Sequence, residues 1–237
     1  MSRSPEKNAE VREKRKKQIL DAALTVYIRF GFYGADVDFV AEEAKLAKGL
    51  VYYYFKTKKE LFTELYTWMF NESYSFSESL LRNSINMNPV EQLMAYTYEM
   101  FMANSDNPRL MQFAIRVPFD AYAVFGPEQW KDGARKSDLH RKALADIVKN
   151  GIDAGLIPKL NPDAAANSFW SVFVANVFDY SKLITATQTP AKNDMGIFKD
   201  TVRFCFQGLG IEHGVWNACL EKIFLNRKKG AAINEGI

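Results

Sequence analysis

An all-α fold follows from three observations on the 237-residue sequence. Apolar side chains recur at helical spacing, as in Ile19, Ala23, Tyr27 and Phe30. No stretch shows the sustained apolar–polar alternation, bounded by turn residues, of a half-buried strand. The glycines, prolines and short polar residues fall where helices would start and stop. Together they predict nine or ten helices with no internal repeat.

The first helix has a basic beginning and stops at Gly31, which can adopt the left-handed backbone of a helix C-terminus. Asp36 caps a short second helix whose inner face is Val37, Val40, Ala41 and Ala44. Lys45-Leu46-Ala47 interrupts the pattern, and a third short helix runs from Lys48 to Phe55. Thr57-Lys58-Lys59-Glu60 is a capping box opening a longer fourth helix. Three Asn-Pro pairs, Asn88-Pro89, Asn107-Pro108 and Asn161-Pro162, each place a capping side chain before a proline preset for the first helical turn. Gly126-Pro127 is expected to do the same before Glu128, and Gly155 to end the helix begun there. The remaining helical runs are 163–185, 195–209 and 214–227, followed by a polar tail.

Composition narrows the class. A chain that is 48% apolar and 14% aromatic is not disordered. Cys205 and Cys219 are too few for a disulfide framework and read as reduced, buried thiols. His140 and His213 lie far apart, and no CxxC or HxxxH spacing exists, so neither metal nor cofactor is expected. The first 17 residues are too polar for a secretory leader. The least charged run, between Asp163 and Asp179, is shorter than the ~20 apolar residues a bilayer crossing needs, so a cytoplasmic protein without a membrane partner is expected. Nothing suggests an activated nucleophile, a carboxylate pair or a phosphate loop, so the chain does not read as an enzyme.

Charge is unevenly spread. Residues 1–60 hold 13 Lys/Arg against 9 Asp/Glu, and the remainder 18 against 19, so the whole net charge of +3 sits in the first quarter. A basic headpiece on a neutral body is the simplest organisation. We divide the chain into a basic N-terminal domain at 1–58, a larger helical domain at 59–229, and a flexible tail at 230–237.

Helices two and three, joined by a three-residue turn, have the dimensions of a helix-turn-helix. Its second helix must present small and polar residues to a major groove while its other face packs inward. Val51, Tyr54 and Phe55 can face the core, leaving Lys48, Gly49, Leu50, Tyr52 and Tyr53 outward. Tyrosine hydroxyls donate to phosphates and their rings touch base edges. Lys56 and Lys58 sit at the next helix start, where ammonium groups and free amides both favour phosphate.

The segment from Phe30 to Phe62 resembles the N-terminal domain of the TetR family of transcriptional regulators. Gly31, Ala41, Ala44, Lys48, Gly49, Tyr52, Tyr54, Phe55, Lys58 and Leu61 all fall in the family's register. Several positions depart from it. Lys45 stands where Gly is usual, and a left-handed backbone there costs roughly 1 kcal/mol. Ala47 replaces a Ser or Thr cap worth ~1 kcal/mol. Leu50 replaces a frequent Thr, and helix two carries Asp38, Glu42 and Glu43. The resemblance implies a homodimer on a palindromic double-stranded operator, acting as a repressor released by a small-molecule effector. It also implies dimerisation through the helices at 163–183 and 195–209, and Val174 and Phe206 are expected at that seam. The alternative reading is a helical small-molecule-binding protein with weak or lost DNA recognition.

The body is rich in Phe, Tyr, Met and Trp. A largely apolar pocket for a lipophilic or aromatic ligand would use that surplus. Met94, Tyr98 and Met102 share one helix face, and with Phe119, Tyr122 and Trp170 they are the expected lining. Glu99 and Asp120 are acids that could pair with a cationic ligand, but solvent exposure is the better expectation for both.

Overall fold

The computed structural model describes residues 5–187 and 194–234, with side chains described for 7, 9–126, 140–186 and 195–225. Every regular element among them is helical. In order they are α1 (Pro5–Gly34), α2 (Val37–Glu43), α3 (Lys48–Tyr54), α4 (Lys58–Asn83), α5 (Pro89–Asp106), α6 (Arg109–Asp153), α7 (Pro162–Thr187), α8 (Asp194–Gly208) and α9 (His213–Asn234).

The expected boundaries have visible physical causes. Gly31 takes φ 68° and ψ −179°, so the regular part of α1 stops at Phe30. Gly126 (φ 76°, ψ 177°) breaks α6 in the same way. Gly155, at φ 72°, follows the C-cap of α6. Asp36 accepts the amide of Asp38 at the start of α2. Asn88 accepts those of Val90 and Glu91 before α5. Asn161 accepts from the Ala164 amide, 2.9 Å away, at the start of α7. In the capping box the Glu60 amide donates to Thr57 Oγ1 at 3.0 Å. The return bond goes one residue further than expected, from the Lys56 amide to Glu60 at 2.7 Å. Asn107 differs from the expectation. It is the C-cap of α5, and α6 begins behind Pro108 without a side-chain cap. Helix α9 continues to Asn234, through residues 230–234 of the expected tail, and 235–237 lie outside the described residues.

The chain divides into two compact units, residues 1–73 with 112–134 and residues 74–111 with 135–237. In the first, Ile19, Ala23, Val26 and Tyr27 of α1 are buried with Val40, Val51, Phe55, Phe62 and Tyr66. Phe113, Val117, Ala121 and Val124 from the first half of α6 complete this core. Tyr27, Tyr66 and Phe113 are in mutual ring contact, with centroids 5.1–5.5 Å apart. The Tyr66 hydroxyl donates to that of Tyr27 at 2.5 Å, and burial pushes both phenols above their ordinary pKa.

In the second unit α5 packs against α7, α8 and α9. Phe101 stacks on Tyr180, and Phe198 of α8 meets both Phe101 and Tyr98. Trp216 and Leu220 of α9 are buried, and Lys222 reaches Glu91 of α5 at 2.9 Å. The apolar face of α9 thus packs back on the body. Among the described residues no helix is long and apolar enough to cross a membrane.

Candidate nucleic-acid interface

The turn between α2 and α3 is closed by backbone bonds from Lys45 to the Glu42 carbonyl (3.0 Å) and from Leu46 to that of Ala41 (2.9 Å). Lys45 sits at φ 56°, the left-handed conformation anticipated for a position where glycine is usual. Ala47 has the extended backbone of an N-cap and makes no side-chain cap bond. Helix α3 is held instead by Val51, fully buried, and by Phe55 just beyond it.

That anchoring turns the opposite face outward. Tyr53 is 62% exposed and Tyr52 38%. Lys48, Gly49 and Lys56 are exposed too, whereas Leu50 and Lys58 are half-buried. Tyr54, expected to face the core, is also half-buried, its ring edge-on to Tyr53 at 5.3 Å. A Cβ added at Gly49 would meet nothing within 4 Å, so internal packing does not require glycine there. A smooth backbone at that position suits close approach to an external partner.

The cations of this face are already placed. Lys48 Nζ lies 2.6 Å from Asp38 and 5.9 Å from the Tyr52 ring centroid. The Asp38 hydrogen bond raises its pKa above the ordinary lysine value. Lys56 Nζ donates to the Tyr53 carbonyl at 3.2 Å and lies 5.5 Å from the Tyr53 ring centroid. Two cation–tyrosine pairs therefore stand side by side on the exposed face of α3. Lys58 turns elsewhere, to the Tyr33 carbonyl (3.1 Å) and the Phe32 ring (5.1 Å). Ammonium groups held beside phenol rings can neutralise phosphates while the rings reach base edges.

A second constellation positions this headpiece from behind. Arg116 of α6 donates to the Ile28 carbonyl at 3.1 Å, capping the C-terminal end of α1 where the helix dipole favours a cation. Asp120, one turn on, accepts the Phe32 amide at 3.2 Å and lies 3.6 Å from Arg116 Nε. Its side chain is only 13% exposed, so the expected solvent exposure of Asp120 is corrected: it is committed to the turn after α1. A Cβ at Gly31 would fall 2.6 Å from the Arg116 guanidinium, so glycine is needed there for contact as well as conformation. Sequence reasoning missed Arg116 entirely. The available signal was its i, i+4 spacing to Asp120, together with a helix end that needed a cation.

The expected ligand-lining residues fall in both units. Phe119 and Tyr122 belong to the first unit and are 81% and 60% exposed. The other four belong to the second unit. There Met94 is fully buried, Met102 is half-buried and Tyr98 lies edge-on to Phe198. Trp170 meets His140 (4.7 Å), Tyr96 and Phe173. The Ser77 and Tyr96 hydroxyls share a 3.0 Å hydrogen bond, and the Tyr96 hydroxyl also bonds His140 Nε2. Burial pushes the His140 pKa down to about 4, with Arg141 adding to the effect. Glu99 is exposed, as expected. On α7 and α8 a shallow apolar groove is lined by Leu160, Ala164, Ala165, Val172 and Phe204. Phe204 is 66% exposed, whereas Phe206, expected at a seam, is fully buried against Phe169.

A short, inward-anchored helix with an exposed basic and tyrosine-rich face, set behind a tight turn from a capped helix, defines a helix-turn-helix DNA-binding domain. Residues 19–65 match the family model for bacterial regulatory proteins of the tetR family. The chain is 28% identical over 171 residues to an uncharacterised HTH-type transcriptional regulator, YhgD, of Bacillus subtilis (strain 168), covering 71% of this chain and 85% of that one. Among solved structures, AibR in complex with isovaleryl coenzyme A and operator DNA superposes with a TM-score of 0.62 at 18% identity, over 84% of this chain and all of that one. FadR of Bacillus subtilis in complex with stearoyl-CoA gives 0.57 at 17% identity, over 81% and 98%. Residues 19–65 of the chain thus carry the N-terminal domain of the tetR family of bacterial regulatory proteins.

Proposed function

We propose that the protein is a homodimeric repressor that binds a palindromic operator through Lys48, Gly49, Leu50, Tyr52, Tyr53, Lys56 and Lys58, and leaves it when a lipophilic effector binds the body. The observation that carries this reading is the pair of cation–tyrosine contacts on the exposed face of α3. The effector class is an acyl thioester. It suits the aromatic and thioether side chains of Met94, Tyr98, Met102 and Trp170, and two structures of similar fold are complexes with acyl-coenzyme A. The exposed Phe204 and the α7–α8 groove supply the dimer seam. On this reading the protein is cytoplasmic and performs no catalysis.

Selection from random duplexes at low salt tests the first half. Enrichment of an inverted repeat, with half-sites one or more helical turns of about 34–36 Å apart, is the expected outcome. Titrating straight- and branched-chain acyl-coenzyme A into that complex should then weaken it 5–150-fold. The specific observation favouring the alternative is the Lys48–Asp38 pair, which occupies one DNA-facing cation internally. Absence of any enriched duplex, alongside measurable acyl-coenzyme A binding, would establish that alternative.

A further inference from the structure

Helix α1 outruns the core it packs against. Among its described side chains the buried ones begin at Ile19, yet the helix starts at Pro5, on the order of 20 Å earlier at 1.5 Å per residue. Along the row that carries Ile19 and Ala23 into the core, the preceding positions are Arg12 and Lys16. On the adjoining row Arg15 and Gln18 precede the buried Ala22. Apolar stripe thus becomes cationic stripe within one helix, without a break in the backbone.

The position of this change is fixed. Gln18 Nε2 donates to the Ala44 carbonyl at 2.8 Å, beside the turn that leads into α3. Arg15 is aligned by a 2.7 Å bond to Gln18 Oε1, the same side chain that reaches the Ala44 carbonyl. Lys16 is balanced by Glu64 of α4 at 2.6 Å. Arg12 is exposed. Glu13, the nearest acid in sequence, lies on neither row.

We propose that Arg12 and Arg15 form a second DNA-binding site on α1, taking phosphates that flank the groove read by α3. The inference rests on the proposed DNA-binding function. A helix continued past its core, with guanidinium groups where apolar side chains would otherwise stand, is built to meet a polyanion. Guanidinium matches phosphate geometry through paired N–H donors. These contacts read backbone, so they strengthen operator and unrelated duplex alike.

The test compares the wild type with Arg12→Gln/Arg15→Gln in the full chain, using fluorescence anisotropy on the selected operator and on a scrambled duplex from 50 to 200 mM salt. Two residues on two protomers correspond to four phosphates, so the log–log salt slope should become shallower by about 3.6. Low-salt affinity should fall at least tenfold on both duplexes. A control variant, Lys142→Gln/Lys149→Gln, removes the same charge from the second unit and should leave the slope unchanged. Circular dichroism confirms folding, and Arg12→Lys/Arg15→Lys, which keeps both charges, should retain most of the slope. An unchanged slope in the Gln variant, or an equal change in the control, overturns the α1 site and leaves the function standing. Failure of the wild type to bind any duplex overturns both.

Discussion

Gly31 and Arg116 allow a sharp energetic test of how the headpiece is held. Gly31→Ala introduces two costs. A side chain at φ 68° is strained by roughly 1–2 kcal/mol, offset in part by the stiffer unfolded chain, which leaves about 1 kcal/mol. The new Cβ, 2.6 Å from the guanidinium, must also displace Arg116 from the Ile28 carbonyl. A hydrogen bond from a charged donor contributes about 1.5–3 kcal/mol. The Arg116 side chain is 39% exposed, so solvent screening reduces this to about 1–1.5 kcal/mol. Gly31→Ala should therefore cost about 2–2.5 kcal/mol, a fall in melting temperature of about 4–10 °C at 2–4 °C per kcal/mol. In an Arg116→Ala background the collision is gone, and the same substitution should cost only about 1 kcal/mol. Urea unfolding of the four proteins in this double-mutant cycle gives a coupling energy of about 1–1.5 kcal/mol if the contact is as described. Strict additivity would refute it.

Three further outcomes are expected. Tyr53→Ala should weaken operator binding by about 1–3 kcal/mol with little change in melting temperature, since the side chain is exposed; normal binding or an unfolded protein would contradict its role. Phe204→Glu should yield folded monomers in sedimentation velocity, whereas Phe206→Glu should compromise folding, because only the second is buried within the protomer. His140 is held neutral, with a folded pKa of about 4 against 6.5 when exposed. The unfolded chain therefore binds the extra proton first as pH falls, and stability is lost between about pH 6.5 and 4. The expected loss is on the order of 3 kcal/mol, and His140→Gln should flatten that part of the stability–pH curve.

Much of this was legible in the sequence because its causes are local. Gly31, Asp36, Asn88 and Gly155 announce their helix ends through their own conformational and capping chemistry. The exposed face of α3 follows from Val51 and Phe55 being its apolar anchors. What escaped depends on partners distant in the chain. Asp120 reads as an ordinary surface acid until the Phe32 amide, 88 residues away, is seen to need an acceptor. Helix α8 is apolar on more than one side, so periodicity does not decide which phenylalanine turns inward. Phe206 meets Phe169 while Phe204 is left outside. Asn107 had the same Asn-Pro signature as Asn88 and Asn161, but it serves the helix before it and not the one after.

The core shared by α1, α4 and the first half of α6 bears on how such regulators could be recombined. The segment that matches the family model ends at residue 65, yet the unit containing it also draws on residues 112–134. A chimera joined at residue 60 would seat a foreign headpiece on Phe113, Val117, Ala121 and Val124, side chains shaped for Tyr27 and Tyr66, and would face Arg116 with a helix end it was not fitted to. The headpiece is a discontinuous unit: a foreign one keeps its own packing only when the stretch of α6 from 112 to 126 travels with it, and a single cut near residue 60 separates the two.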